Sequence, residues 1–223
     1  MPIRSVYVYG AGGHGKVVAD VLRAEACPPV GFVDDERPRS TIFDLPVLGV
    51  GEWLATTMNR EEVGVALGIG DNWSRKRIAD HCREYGFQIV TALHPSAVFS
   101  PTSMIGEGTV VMPLAMLNTD SIVGLGVIVN SGALIEHDCI IGDYAHVSPN
   151  VSLGGRVHIG SFCLLGLGAV VLPGITVGSG SIVGAGAVVV CDIPEGVIAV
   201  GVPARISARI KKASETATVS AHT

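Results

Sequence analysis

An aliphatic residue returns at every sixth position over the second half of the chain, and this period constrains the fold more than any other feature. Glycine follows the aliphatic residue in eight of the fifteen repeats, and a small or β-branched residue stands four positions after each aliphatic. Short strands joined by tight, regular corners, each pointing one aliphatic side chain inward, produce such a pattern. The aliphatic positions are Ile105, Val111, Leu117, Val123, Val129, Ile135, Ile141, Val147, Leu153, Ile159, Leu165, Val171, Val177, Val183 and Val189.

Charged side chains are rare in this repeat. Residues 105–194 hold seven of them in 90 positions, whereas the other 133 residues hold 28. A shift of this size predicts two domains, 1–94 and 95–205, joined near Pro95. The chain is 48% hydrophobic, yet no apolar run reaches the roughly 18 residues of a membrane span, so we expect a soluble protein with no membrane partner.

The charge balance bears on the possible partners of the protein, and the cysteines bear on its cellular location. A net charge of −5 argues against nucleic acid as a partner, because phosphate binding needs a concentrated basic surface. The five cysteines are widely spaced and form no CxxC pair, so a reducing, cytoplasmic location is expected.

The first domain alternates between strand and helix patterns, as in a small doubly wound α/β sheet. A glycine-rich segment, residues 10–15, stands between the first strand and the first helix. We therefore expect a Rossmann-like domain. The predicted strands cover residues 6–9, 29–33, 47–48, 63–69 and 88–91, and a second clear helix covers about 72–84.

The repeat resembles the hexapeptide-repeat family, whose coils of three hexads stack into a left-handed parallel β-helix. The resemblance implies about five coils for the fifteen hexads. Their left-handed winding is an exception to the usual right-handed connection between parallel strands. Residues 201–205, Gly-Val-Pro-Ala-Arg, resemble the segment that closes this helix in acyltransferases. Beyond them, residues 206–212 are predicted as a short basic helix and the rest, to residue 223, as a disordered tail.

His137 is the first candidate for chemistry, because Glu136 and Asp138 flank it in a region almost without charge. At about 18 residues per coil, Gly155 stacks directly on His137. His146 lies half a coil away, so the two histidines lie on opposite sides of one prism. Asn130 falls on the His146 side, and a site that uses both groups would be built between subunits of a three-fold assembly.

The whole chain, over roughly residues 5–206, is similar to a narrower family of bacterial sugar N- and O-acetyltransferases with a nucleotide-binding domain ahead of the β-helix. Besides the glycine-rich segment, the motifs are Phe-Val-Asp-Asp at 32–35, Gly-Ile-Gly-Asp-Asn at 68–72 and Ile-Glu-His-Asp-Cys at 135–139. This resemblance implies that His137 is the general base. It also implies a homotrimer, acetyl-CoA as cosubstrate and no metal.

The family pattern leaves the partner of His137 open. A close relative type has glutamate where this chain has Asp138, so either Asp138 or Glu136 could support the base. The resemblance assigns Asn130, His146 and the Gly155 amide to the acetyl donor. Gly166, Gly184 and Arg205 are expected to contact acetyl-CoA as well, the last through its phosphates.

The glycine-rich segment has two interpretations. Gly10-x-Gly12-x-x-Gly15 before a helix is typical of a pyrophosphate cradle and could hold NAD. Fewer than 100 residues precede the repeat, which is room for one mononucleotide unit, so a nucleotide sugar is favoured. The predicted substrate-binding residues are Gly10, Gly12, Gly13, His14, Gly15, Asp34, Asp35, Gly70, Asn72 and Arg75.

The predicted function is acetyl-CoA-dependent N-acetylation of a nucleotide-linked 4-amino-4,6-dideoxy sugar, with UDP favoured over a GDP-perosamine type of substrate. The alternatives are a sialic acid or other sugar O-acetyltransferase, a zinc carbonic-anhydrase-like trimer and a non-catalytic nucleotide-sugar sensor. The histidine spacings of nine and twelve (His137, His146, His158) do not match the closely spaced ligands of the zinc enzymes. The motifs do not separate N- from O-acetylation.

Overall fold

The computed structural model describes residues 2–210 and divides them into an α/β domain and a parallel β-helix. The first domain has the order strand, helix, strand that its sequence predicts, with a short hairpin and a helical turn added between its second and third main strands. Its elements are β1 (Ser5–Tyr9), α1 (Gly13–Ala24), β2 (Gly31–Val33), β3 (Thr41–Ile42), β4 (Leu45–Leu48), α2 (Val50–Thr56), a 3-10 turn (Arg60–Glu62), β5 (Val63–Leu67), α3 (Asn72–Glu84) and β6 (Gln88–Ile89).

The strands of this domain form one sheet in the order β3-β4-β2-β1-β5-β6. All neighbours in it are parallel except the hairpin strands β3 and β4. β5 is buried along its whole length, as expected for a central parallel strand covered on both faces. α1 buries Val18 and Leu22 against the sheet, and the Trp53 ring stacks on Phe87 at 4.2 Å between centroids.

The second domain is a left-handed parallel β-helix with three faces, each built from two-residue strands. It begins at Ala92, slightly earlier than the sequence predicts, because Leu93 and Phe99 continue the six-residue period backwards. The first face contains β7 (Ala92–Leu93), β10 (Val110–Val111), β13 (Ile128–Val129), β16 (His146–Val147), β19 (Leu164–Leu165) and β22 (Ile182–Val183). The second face contains β8 (Val98–Phe99), β11 (Met116–Leu117), β14 (Leu134–Ile135), β17 (Ser152–Leu153), β20 (Val170–Val171) and β23 (Val188–Val189). The third face contains β9 (Met104–Ile105), β12 (Ile122–Val123), β15 (Ile140–Ile141), β18 (His158–Ile159) and β21 (Thr176–Val177).

Strands of successive coils pair in a register of 18 residues, for example Ile128 with His146 and Ile140 with His158. The second residue of each strand points inward, so the aliphatic positions of the repeat form one continuous core from Val111 to Val189. Some corner residues adopt the left-handed conformation that a tight turn needs, such as Gly132 with φ +65°. The glycines that directly follow the aliphatic positions have another reason, since a Cβ there would strike the next coil, as at Gly166, where it would lie 2.5 Å from the Ala185 amide nitrogen. Asp138, beside the candidate base, occupies such a corner with φ +59°.

The end of the β-helix differs from the prediction. β24 (Val197–Val200) adds to the first face, and the chain then turns and runs back as β25 (Arg205–Arg209), antiparallel to β24. The predicted helix over 206–212 is therefore wrong for its described part, because backbone pairing with β24 outweighs the local helix preference. The predicted tail lies outside the described residues. Within residues 2–210, none of the helices is long and apolar enough to cross a membrane.

Candidate active site

The glycine-rich segment forms one wall of a cavity at the carboxyl ends of β1, β2 and β5. Gly10 has φ +104°, and a Cβ on it would lie 2.7 Å from the Gly68 carbonyl oxygen. Gly12 and Gly13 have open space beside them, so the start of α1 faces the cavity. The cavity measures about 420 Å³, a size typical of small-ligand sites. It is lined by Tyr9, Gly10, Gly12, Gly13, His14, Val33, Asp34, Asp35, Glu36, Gly68, Ile69 and Gly70.

Seven of the ten predicted substrate-binding residues line this cavity, namely Gly10, Gly12, Gly13, His14, Asp34, Asp35 and Gly70. Sequence reasoning missed the other five lining residues, which are Tyr9, Val33, Glu36, Gly68 and Ile69. Their signal was available, since each lies at or just after the end of a parallel strand, where ligands of doubly wound sheets bind.

The two aspartates already hold backbone groups. Asp34 accepts hydrogen bonds from the Ala11 amide at 2.7 Å and the Glu36 amide at 2.8 Å, so its carboxylate ties β2 to the glycine-rich segment. Asp35 accepts from the Val50 amide at 2.7 Å, at the start of α2. Asp34 therefore lines the cavity with both of its carboxylate oxygens already bound to backbone amides.

Three of the predicted substrate-binding residues lie outside the cavity. A Cβ on Gly15 would lie 1.9 Å from the Gly10 carbonyl oxygen, so this glycine permits close packing of α1 rather than ligand contact. Asn72 and Arg75 lie in the seam between the two domains. Their side chains point toward the β-helix because its corner carbonyls offer acceptors that α3 alone cannot supply.

Arg75 is fully buried and binds carbonyl oxygens of both domains. Its Nη1 donates to the carbonyls of Ile69 and Gly70, which line the cavity. Its Nε donates to the Gly126 carbonyl at 2.7 Å and its Nη2 to the Tyr144 carbonyl at 2.9 Å. Burial lowers the pKa of Arg75 to about 10, with Asp71 partly offsetting the effect. Arg75 therefore joins the cavity floor to two coils of the β-helix.

His14 and His146 meet at this seam within one chain. Their ring centroids are 6.5 Å apart, and Asn130 Nδ2 lies 3.3 Å from His146 Nε2. Burial, and then the neighbouring His146 and Arg75, lower the pKa of His14 to about 4. Burial and then Arg75 lower the pKa of His146 to about 4. Both imidazoles are therefore neutral near pH 7, and the buried Nε2 of His14 has no partner within residues 2–210.

His137 lies at the corner between the second and third faces. Its Nδ1 is 2.7 Å from Asp138 Oδ2. Glu136 turns to the coil below, where it accepts a hydrogen bond from Asn118 Nδ2 at 3.0 Å. Of the two flanking carboxylates, Asp138 is therefore the one that orients the ring and leaves Nε2 available.

Gly155 stacks on the His137 ring. A Cβ at Gly155 would lie 2.5 Å from His137 Nε2, so only glycine leaves room for the ring. The Gly155 carbonyl accepts from the Gly174 amide, but the Gly155 amide itself has no acceptor within the described chain. The backbone of Gly155, whose amide has no acceptor within residues 2–210, therefore lies against the imidazole ring.

Two of the remaining residues predicted to contact acetyl-CoA lie at the corner that follows the first face. Gly166 and Gly184 stack above Asn130 in steps of 18, and a Cβ on either would strike the next coil, at Ala185 and Val200 respectively. Arg205 is exposed in β25 and donates to the Ala204 carbonyl. In residues 2–210, no three His, Cys, Asp or Glu side chains converge as metal ligands do.

A Rossmann-like cradle docked on a hexapeptide β-helix, with an oriented imidazole at a corner of the coils, places the chain in the class of hexapeptide-repeat acyltransferases. Residues 5–82 match the PglD N-terminal domain family. The curated UDP-N-acetylbacillosamine N-acetyltransferase of Bacillus subtilis (strain 168) is 36% identical over 118 residues, which are 49% of this chain and 52% of the relative. The match to this relative thus spans about half of each chain.

Two solved structures match over nearly their whole length. PerB from Caulobacter crescentus, in complex with CoA and GDP-perosamine, is 41% identical with a TM-score of 0.86, covering 92% of this chain and 97% of its own. The acetyltransferase domain of PglB from Neisseria gonorrhoeae FA1090, in complex with acetyl coenzyme A, is 38% identical with a TM-score of 0.86, covering 92% and 99%. The chain therefore belongs to the family of hexapeptide-repeat sugar N-acetyltransferases that carry a PglD-type N-terminal domain.

Proposed function

We propose that this protein transfers the acetyl group of acetyl-CoA to the amine of a sugar carried on a nucleoside diphosphate. The observation that carries the proposal is the His137 ring, which Asp138 holds through Nδ1 and which stacks with Nε2 against the backbone of Gly155. General-base catalysis and oxyanion stabilisation need these two groups side by side. The cavity of the first domain would bind the nucleotide to which the acceptor sugar is attached.

In the proposed reaction, the sugar amine attacks the thioester carbonyl carbon while His137 Nε2 removes a proton from the nitrogen. The C–N bond forms, and the carbonyl oxygen takes negative charge, which the Gly155 N–H stabilises. The C–S bond then breaks, and the CoA thiolate leaves with the proton that His137 returns. Asp138 holds the imidazole in the tautomer that this cycle requires.

We infer that the complete site is formed between subunits of a homotrimer. His137 lies at a corner of the second and third faces, whereas Asn130 and His146 lie at the first face, and no hydrogen bond joins the two groups within residues 2–210. Exposed apolar side chains run along the second and third faces, and such a row is typical of a surface that a partner covers. They are Val98 and Met116 on the second face and Met104, Ile122 and Ile140 on the third.

Asn130, His146 and the stacked glycines 166 and 184 would then bind the acetyl donor of the neighbouring site, with Arg205 near its phosphates. The arrangement supports this assignment, because Asn130, Gly166 and Gly184 share one corner of the coils and Asn130 Nδ2 lies 3.3 Å from His146 Nε2. A cytoplasmic location, expected from the cysteine usage, stays a prediction.

The test is thiol release from acetyl-CoA with a panel of UDP- and GDP-linked amino sugars. We expect His137→Ala to lower turnover by about 100-fold or more, the usual scale of a lost general base, and to keep the oligomeric mass. His81→Ala, on exposed α3 surface, is the matched control. Turnover retained in His137→Ala would overturn the assignment of the base. Acetylation of hydroxyl acceptors only would favour the O-acetyltransferase alternative, and nucleotide binding without turnover would favour a sensor.

A further inference from the structure

The nucleotide cavity has two chemically different ends. At one end, the open backbone at Gly12 and Gly13 and the start of α1 favour an anion, as helix N-termini do. The other end is marked by Glu36, the last of three consecutive acidic residues that follow β2 and line the cavity; the first of them, Asp34, borders the glycine-rich segment, whereas Glu36 is exposed. A nucleoside diphosphate fits this polarity with its phosphates at α1 and its base toward the acidic end.

The three carboxylates differ in how many of their oxygens are free to accept a hydrogen bond from a ligand. Both oxygens of Asp34 accept backbone amides, and one oxygen of Asp35 accepts the Val50 amide. Glu36 is exposed and lines the cavity, and its carboxylate has no hydrogen-bond or ion-pair partner within residues 2–210. Glu36 is therefore the acidic group with both oxygens available to a ligand.

The side chains that line the cavity offer few donors. The lining residues include no lysine, arginine, asparagine or glutamine. Their side-chain donors are the Tyr9 hydroxyl and the His14 ring. A ligand edge that meets the acidic end must therefore bring its own N–H groups.

Guanine and uracil differ at this point. Guanine presents two adjacent donors, N1–H and the exocyclic N2 amine, which match the two oxygens of one carboxylate. Uracil presents a single N3–H between two carbonyl oxygens, which a carboxylate repels. We propose that Glu36 selects a guanine nucleotide over a uracil nucleotide by accepting hydrogen bonds from N1–H and the N2 amine of the base.

This inference rests on the function proposed above and reverses the preference for UDP expected from the sequence. The comparisons agree with its direction. The relative solved with GDP-perosamine matches 92% of this chain, whereas the curated relative named for a UDP sugar matches 49% of it.

The experiment is calorimetric titration of the full chain with GDP, UDP and inosine diphosphate, which keeps N1–H and lacks the N2 amine. We expect GDP to bind at least about 30-fold more tightly than UDP, with inosine diphosphate between them, since a site built for donors rejects a base that lacks them. Glu36→Gln should weaken GDP binding by about 10- to 100-fold, the scale of a lost charge-assisted bond, and change UDP binding less than about 3-fold. Glu84→Gln, at the exposed end of α3, should change neither.

Equal loss of GDP and UDP binding in Glu36→Gln would overturn the inference, since Glu36 would then hold the ribose that both share. Tighter binding of UDP than GDP by the unaltered chain would overturn it as well. If none of the nucleoside diphosphates binds, the proposed function fails together with it. If GDP is preferred but no amino sugar is acetylated, the proposed function fails while the base preference stands.

Discussion

At the scale of single residues, the structure distinguishes two carboxylates that the sequence presents as equivalent. Asp138 lies 2.7 Å from His137 Nδ1, whereas Glu136 binds Asn118 on the coil below. We expect Asp138→Asn to lower kcat by about 100-fold, because the amide no longer fixes the imidazole tautomer. Steady-state kinetics of Asp138→Asn and Glu136→Gln provide the comparison, and Glu136→Gln should stay within a few-fold of the unaltered enzyme. A larger loss in Glu136→Gln than in Asp138→Asn would contradict the assignment.

Gly155 gives the second test at this scale. Its replacement by alanine puts a Cβ 2.5 Å from the His137 ring, so the ring must rotate away from its position. We expect kcat to fall by about 100-fold with little change in the thermal midpoint, because the ring is half-exposed and can move outward. Gly51→Ala in α2, where open space surrounds the position, is the matched control and should keep full activity. Unchanged kcat in Gly155→Ala would show that the stacking has no role.

The stacking of Gly155 on His137 could be predicted from the sequence because the period fixes which residues lie one coil apart. The hydrogen bond between Asp138 and His137 could not, since both carboxylates are sequence neighbours of the ring and only the left-handed corner at Asp138 decides the contact. The free Gly155 amide could not be predicted either, because backbone pairing at a corner depends on the coils on both sides.

At the scale of elements, α3 has the predicted bounds but another role than the one expected. Asn72, Asp71 and Arg75 resemble a ligand-binding motif in the sequence, yet Asn72 and Arg75 bind carbonyls of the β-helix 51 to 91 residues further along the chain. The residues around α3 alone cannot predict hydrogen bonds to acceptors so far along the chain. The same limit explains β25, whose pairing with β24 overrode a local helix pattern.

Arg75→Met tests the docking of α3. The change leaves buried carbonyls of Ile69, Gly126 and Tyr144 without their donor, and an unsatisfied buried polar group costs about 1–3 kcal/mol. We expect the free energy of unfolding to fall by at least about 3 kcal/mol in urea denaturation. Arg77→Met, whose guanidinium binds the Ser74 hydroxyl on the exposed side of α3, should lower it by less than about 0.5 kcal/mol. Equal stability of the two variants would show that the seam does not depend on Arg75.

At the scale of the whole molecule, the seam between the domains makes stability depend on pH. His14 and His146 have pKa values lowered to about 4, against about 6.5 in an unfolded chain. Between these values the unfolded chain binds more protons, so stability is full above pH 6.5 and falls as the pH is lowered toward 4. Each histidine contributes up to about 1.4 kcal/mol per pH unit in that window.

The measurement is the urea midpoint at pH 7, 6 and 5. His146→Asn should flatten the pH dependence, because the asparagine does not titrate, whereas His81→Asn on exposed α3 should leave it unchanged. A midpoint that is independent of pH in the unaltered chain would show that the two imidazoles accept protons in the folded state as easily as in the unfolded one.

The proposed trimer gives the last prediction. Ile140→Glu places a charge in the exposed apolar row of the third face, so we expect a smaller mass in light scattering and the loss of acetyl transfer. Val17→Glu, an exposed apolar position on α1, should keep the mass. A smaller Ile140→Glu species with full turnover would mean that each subunit contains a complete site.

The antiparallel strand β25 determines where the molecule stops. A stack of parallel strands ends in unpaired N–H and C=O groups onto which the first coil of another copy could add, extending the stack without limit. β25 pairs with β24 in the opposite direction, so the edge it leaves no longer has the evenly spaced pattern of a parallel ladder. At the other end, α1 packs against β7, and Glu25 accepts the Leu93 amide at 3.2 Å. Growth along the axis is thus blocked at both ends of the first face, so copies of the chain cannot extend this sheet into a fibre.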